Sequence, residues 1–560
     1  VDADCFETTD DDDDEFSATK YNPPRVVPYR SLNTSAALLS RQAGGRKLFV
    51  EGTDSLLWQQ ETGNFYSSPD DIFDCDGLAP RPRSLPFCAT SFKQGNMVAI
   101  GDEDGGVSIY SVSAESALAA TQRMLMRIYP HDNAIMDMDI SSDDALLVTA
   151  SGDQTCRVVD LNEGRSTHTL IGHSGSIKRV QFQPGTGDNV VVTCSRDGSV
   201  CLWDLRTANP AESLDITELR REDASFVSQS RKVNPKVWIH DAHTSFDKFK
   251  LPKGKRQPVS ISSRTDFAVT TCAFISDTRP HMLATASEHN AIIKLWDMRA
   301  SYKQKYSRPV PVSATLEPEG HETLRPFGVT SIAMSTDGSR LYSLCRDHTV
   351  YAYSTSHLVL GSCPEMSSTS TRPPRPRTAG QGLGPLYGFR HPALRLGSFY
   401  DKLAVRPQTE DQSEMIATGT GDECAVVFPT NERYLNEAAR RRPPPPVVST
   451  FSSLRPRLPR TSSTLSISTP DVTADTEGSC PIYYHGSALV NGHKKEVTAV
   501  TWLTDGSLVT TADDYSVRAW HQDLDKARNL RLNTERDVRR NLSGWAAVTP
   551  GFDDDEDEEC

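Results

Sequence analysis

The stretch GHSGSIKRVQFQPGTGDNVVVTCSRDGSVCLWD, running from Gly172 to Asp204, decides how the rest of the chain is read. After Gly172-His173 come three short apolar runs, Ile177 to Phe182, Val190 to Ser195 and Val200 to Asp204, with Arg196-Asp197-Gly198 between the last two. Val- and Ile-rich runs punctuated by Asp-Gly are strand and hairpin chemistry. β-Branched side chains pack well on a pleated surface, and Gly supplies the positive φ that a tight turn needs.

The same unit recurs. One copy spans His131 to Val159-Asp160 with Asp153 in its last turn, and another spans Gly492-His493 to Trp520 with Asp513-Asp514 there. From the His to the Trp position the three copies measure 28, 30 and 27 residues. This near-constancy matches the four-stranded blade of a β-propeller, whose repeat is about 40–45 residues with a Gly-His…Trp-Asp signature. Weaker copies run from Phe87 to Val112, Thr270 to Asp297, Gly320-His321 to Tyr353 and His391 to Phe428. In the fourth copy Asn290 stands at the turn Asp and the opening Gly-His is absent; in the fifth and sixth, Tyr353 and Phe428 replace the Trp. The fold predicted is all-β: a seven-bladed WD40 β-propeller over residues 46–530 with disordered tails and long inter-blade insertions. Segments near Lys47–Val50 and Leu56–Gln59 are expected to supply an outer strand that closes the ring on the last blade.

Within a blade, His173, Ser195, Asp197 and Trp203 are placed to form a buried hydrogen-bonded chain, in which the Asp fixes the imidazole tautomer and the indole N–H finds a partner. A His-Ser-Asp set has the composition of a hydrolase triad. Its recurrence in blade after blade assigns it to the scaffold, since catalysis needs one constellation with its own oxyanion donors.

Hydrophobic residues make up 37% of the 560, below the roughly 45–50% of compact domains, so long segments are expected outside the core. The net charge of −14 is concentrated at the ends: nine acids in residues 1–15 and seven in 553–560 leave the span 16–552 at +2. Residues 1–45 read as an acidic disordered arm and 531–560 as a C-terminal acidic tail. Insertions are expected at about 207–266, which carries Lys248, Lys250, Lys253, Lys255 and Arg256, at 363–380 with Arg372-Pro373-Pro374-Arg375, and at 431–482 with Arg440-Arg441-Arg442 before four prolines. The Lys-rich cluster reads equally as a solvated loop, a phosphate contact or a nuclear-import signal.

No run approaches the roughly 18 apolar residues that span a bilayer, and the acidic start resembles neither a secretory signal nor a transit peptide, so a soluble intracellular protein with no membrane partner is expected. The twelve cysteines contain no CxxC pair, and neither a zinc site nor a disulfide scaffold is expected. HExxH, GxxxxGK[ST], GxSxG and EF-hand spacings are absent. The expectation is a non-catalytic binding protein with no cofactor, no metal and no catalytic residue, for which direct nucleic-acid binding is not expected.

Two consecutive blades end alike, in Leu202-Trp203-Asp204-Leu205-Arg206 and Leu295-Trp296-Asp297-Met298-Arg299. The Arg falls where the third strand ends and the chain emerges on one rim. This resembles the WDxR element of receptors that dock on the adaptor of cullin-4 ubiquitin ligases, and a planar guanidinium there is suited to bidentate bonds with a partner's acceptors. The resemblance widens with Val148-Thr149-Ala150-Ser151-Gly152-Asp153-Gln154-Thr155, with Ser195-Arg196-Asp197-Gly198, and with a Lys-rich insertion preceding Ile292-Ile293-Lys294-Leu295-Trp296-Asp297-Met298-Arg299-Ala300-Ser301-Tyr302. Asp241-Ala242-His243, Ser398-Phe399-Tyr400 and Gly544-Trp545-Ala546 extend it over most of residues 85–546.

Together these residues resemble the denticleless family, in a form with fungal-looking insertions. The resemblance implies a substrate-recognition subunit of a cullin-4 RING E3 ubiquitin ligase. Such a receptor recruits replication-licensing and cell-cycle proteins held on the sliding clamp for ubiquitination and degradation, in the nucleus. It assigns Arg206 and Arg299 as adaptor contacts, with Trp203, Asp204, Trp296 and Asp297 holding the strand ends that present them. The sequence departs from animal members in lacking a Pro/Ser-rich extended tail, and it holds no clamp-binding QxxΦxx-aromatic-aromatic motif. Clamp recognition is therefore expected through the substrate. The alternatives are a WD40 scaffold in a chromatin-assembly or RNA-processing complex and a phosphodegron reader; no leucine-rich F-box precedes the first blade to favour the latter.

Overall fold

The computed structural model describes residues 57–75, 83–112, 124–207, 230–243, 267–276, 278–300, 302, 309–318, 327–361, 384–398, 400–409, 412–435, 480–533, 538–550 and 552–553. The acidic arm, Lys47–Val50, the Lys248–Arg256 cluster, Gly320-His321, residues 363–380, most of 431–482 and the terminal acids after Asp553 lie outside the described residues.

Each repeat folds into an antiparallel meander, as its alternation of apolar run and turn demands. The stretch Gly172–Asp204 gives Ile177–Phe182, Val190–Ser195 and Val200–Asp204, and Val237–Ile239 adds a fourth strand on the outside. The turn glycine Gly198 has φ +80°, a conformation that any side chain would strain. The other sheets repeat the pattern from inner strands Pro86–Ser91, Ile135–Ile140, Val269–Phe274 and Val329–Met334. A ten-stranded sheet contains two more meanders, one starting at Leu403–Arg406 and one at Val497–Trp502. The inner strands neighbour one another in a closed cycle, from Pro86–Ser91 through Ile135–Ile140, Ile177–Phe182, Val269–Phe274, Val329–Met334, Leu403–Arg406 and Val497–Trp502 back to Pro86–Ser91. This is a β-propeller.

Second strands such as Val190–Ser195 and Met97–Asp102 are buried at every position, because each sheet is covered on both faces by its neighbours. The core is therefore divided into clusters between sheets. One gathers Val148, Val158, Phe182 and Trp203, and the next gathers Val192, Phe274, Leu283 and Trp296. Trp203, Trp296 and Trp520 are 0% exposed, and burial of so large a side chain contributes on the order of 3 kcal/mol.

The closing strand differs from expectation. Leu57–Thr62 is an α-helix; the outer partners of Ser516–Gln522 are Phe65–Ser67 and Ile72–Asp74. Gly544–Ala546 then pairs with Phe65–Ser67 on one side and Ser487–Val490 on the other, joining the two meanders of the ten-stranded sheet. The segment from 531 expected to be an acidic tail thus enters the sheet, and Arg531 pairs with Asp553 at 2.7 Å with both side chains nearly buried.

The 207–266 insertion is also divided by structure. Arg231–Val233 lies parallel to Arg165–Ile171, Val237–Ile239 completes the third sheet, and His243 serves the fourth. Likewise Ile482–Tyr483 adds to the fifth sheet. The chain between Tyr434 and Ser487 links the third and fourth strands of the sixth meander, so this insertion precedes the last one.

Candidate partner-docking rim

In four of the sheets a repeating set drawn from His, Thr, Asp and Trp forms the chain that holds the strand ends. His173 Nδ1 lies 3.1 Å from Asp197 and its Nε2 2.7 Å from Thr193 Oγ1, which also accepts the indole N–H of Trp203 at 2.8 Å. Donor and acceptor capacity sets the direction: indole N–H to Thr oxygen, Thr O–H to Nε2, Nδ1–H to carboxylate. Although burial pushes Asp197 upward, bonds from His173, Ser199 and the Ser174 backbone hold its carboxyl well below the usual range.

The hydroxyl expected from the sequence, Ser195, is not in this chain. It sits two residues further on, at the strand's end, where it donates toward the carbonyls of Gly175 and Ser176. The second sheet repeats the arrangement with His131, Asp153 and Thr149, and the last with His493, Thr510 and Trp520. In the fourth sheet Thr285 accepts from Trp296 at 2.8 Å and lies 2.8 Å from His243 Nε2. That sheet does have its His, displaced in sequence by the insertion. Its Nδ1 has no partner among the described residues.

Anchored this way, Trp203 and Trp296 are wholly interior and fix the strand ends that follow them. Asp204, 2% exposed, accepts Arg206 Nε at 2.8 Å on one oxygen and Arg206 Nη2 at 2.9 Å on the other. Lys236 Nζ stands 2.9 Å from the same carboxylate. Asp297 holds Arg299 identically, with Nε at 3.0 Å and Nη2 at 2.9 Å. In both, the Asp also accepts the backbone N–H of the Arg.

Each Asp–Arg pair is a bidentate clasp that fixes the guanidinium plane while leaving its outer edge in solvent: the Arg side chains are 63% and 67% exposed. Arg206, and then Lys236, hold the Asp204 carboxyl well below its usual range, and Arg299 lowers that of Asp297. The sequence located both Arg; it did not reveal that their inner edges are spent on their own Asp, nor that Lys236 joins the first clasp.

The wheel's centre encloses a cavity of about 390 Å³ lined by the inner strands. Asp137 there lies 3.2 Å from Arg179 and 3.3 Å from Lys402 and accepts the Val180 N–H, so its charge is satisfied within the wall. Among the described residues no helix is long and apolar enough to cross a membrane, and no three His, Cys, Asp or Glu converge as a metal site.

The WD domain, G-beta repeat family matches residues 122–160, 164–204, 313–354 and 487–521. The chain is 28% identical over 509 residues to the cell division cycle protein cdt2 of Schizosaccharomyces pombe, covering 88% of this chain and 80% of that one. Denticleless protein homologues match as well, at 25% identity over 465 residues for Danio rerio and 24% over 444 for Homo sapiens. The chain is thus similar to the cdt2 and Denticleless proteins over most of its length. These two alignments cover 82% and 78% of the chain but 54% and 46% of the relatives, so the chain spans about half the length of the animal Denticleless proteins it matches. Both clasps fall inside the shared region.

Proposed function

We propose that this chain is the substrate-recognition subunit of a cullin-4 RING E3 ubiquitin ligase. In this reading the propeller has seven blades, the ten-stranded sheet counting as two, with residues 46–530 carrying the blades and Gly544–Ala546 joining the last two. Arg206 and Arg299 contact the cullin-4 adaptor, Asp204 and Asp297 orient them, and Trp203 and Trp296 hold the strand ends. The ligase then acts on replication-licensing and cell-cycle proteins presented on the sliding clamp, in the nucleus. The observation that carries the reading is the duplicated clasp: two exposed guanidinium groups, held alike by buried or partly buried Asp, at the ends of adjacent sheets. Similarity to the cdt2 and Denticleless proteins supports the receptor role, and the cell-division name of the yeast relative supports the class of substrate.

Capture of the cullin-4 adaptor from cell extract tests the reading. The wild-type chain retrieves it, and Arg206→Ala with Arg299→Ala together loses it without loss of fold. Retrieval of splicing or histone-assembly partners with no adaptor would assign the chain to the scaffold class instead.

A further inference from the structure

The two clasps are alike, but the residue beside each is not. Lys236 donates its backbone N–H to the carbonyl of Leu202, just before Trp203, at 2.8 Å; Val312 donates its own to the carbonyl of Leu295, just before Trp296, at 2.7 Å. Lys236 and Val312 therefore occupy the same place, where the outermost strand begins beside a clasp. At the third sheet two cations share one carboxylate, with Lys236 54% exposed, and the site carries one net positive charge. At the fourth sheet Asp297 and Arg299 balance. Val312 at that place is 44% exposed, and Val310, two residues before it, is 74% exposed.

We propose that this rim is polarised, with Lys236 making the third-sheet clasp cationic and Val312 and Val310 making the fourth-sheet clasp apolar, so that the adaptor is accepted in one orientation only. The inference rests on the adaptor reading given above. It specifies the partner's chemistry: carboxylates or other acceptors over Arg206 and Lys236, and an apolar patch over Arg299, Val310 and Val312. Exposed cations govern the rate and salt dependence of encounter, whereas desolvated apolar contacts govern dissociation. The two ends of the rim thus do different work.

The test is titration of the purified adaptor onto the full chain at low and at physiological salt. Lys236→Val weakens binding about tenfold at low salt and flattens the salt dependence; Val312→Lys weakens it about tenfold without flattening. The swap Lys236→Val with Val312→Lys keeps composition and net charge but reverses the polarity, and it binds no better than the weaker single variant. Should the swap melt below wild type, Lys236→Met, which removes the charge and keeps the length, must still flatten the salt dependence. Binding of a folded swap within about twofold of wild type overturns the polarity. If Arg206→Ala with Arg299→Ala still abolishes that binding, the adaptor reading stands alone; if the wild-type chain binds no adaptor, both fall.

Discussion

Thr193 is bound by two side chains at once, His173 Nε2 and Trp203 Nε1, whereas Thr149 meets one ring, His131, and the Arg157 carbonyl, because Val159 stands at the Trp position. Thr193→Val leaves two buried polar groups unpaired, each costing about 1–3 kcal/mol, so it destabilises about twice as much as Thr149→Val in urea unfolding. Equal losses would mean that the indole bond contributes nothing. The sequence placed His173, Asp197 and Trp203 correctly and chose the wrong hydroxyl. Spacing alone cannot tell Thr193 from Ser195, which lie two apart on a strand and share a face. A different residue carries the pH dependence. Burial, and then the facing Glu496, push the Asp401 carboxyl up to about 8; Asp401 Oδ2 and Glu496 Oε1 have no partner among the described residues. At Asp401 the folded state therefore keeps a proton that the unfolded chain gives up, and this group's contribution to stability falls as pH rises from about 4 to about 8. Asp401→Asn, whose amide can donate to Glu496, raises the melting temperature at pH 8 and loses that advantage toward pH 4. A gain independent of pH would refute the raised Asp401 carboxyl.

Closure shows at the level of elements what patterning reveals and what it hides. The repeats were legible because each meander carries its own alternation and turn. The closing strands were not: Phe65–Ser67 and Gly544–Ala546 are three residues each, too short for a period to emerge. His243 escaped for another reason, since 53 residues separate it from Trp296 where intact repeats have 27 to 30. Gly544 lies so close to Trp520 that an added Cβ would stand 2.5 Å from the indole, which ties the late segment to the core of the last meander. Truncation after Leu542 removes the strand joining Phe65–Ser67 to Ser487–Val490. Amide exchange of residues 65–67 and 487–490 then accelerates strongly, while that of Val190–Ser195 on the far side stays slow. Uniform acceleration would show that the ring opens as one unit.

The whole molecule presents a rigid wheel on which function is a matter of what the rims display. Its interior charges are largely spent on one another, as Asp137 is on Arg179 and Lys402, whereas both clasps spend only their inner edges and face outward. The Trp-Asp-x-Arg pattern made the two Arg legible from sequence, because the buried Trp fixes the strand end and the Arg beyond it has no part in the core. The Asp204–Lys236 contact spans 32 residues and only the folded third sheet brings it together. A reconstruction of the full chain bound to the cullin-4 adaptor measures the central claim directly. Adaptor density is expected against the outer edges of Arg206 and Arg299, on the rim where the third strands end. Adaptor seated on the opposite rim, with both clasps left in solvent, would contradict it.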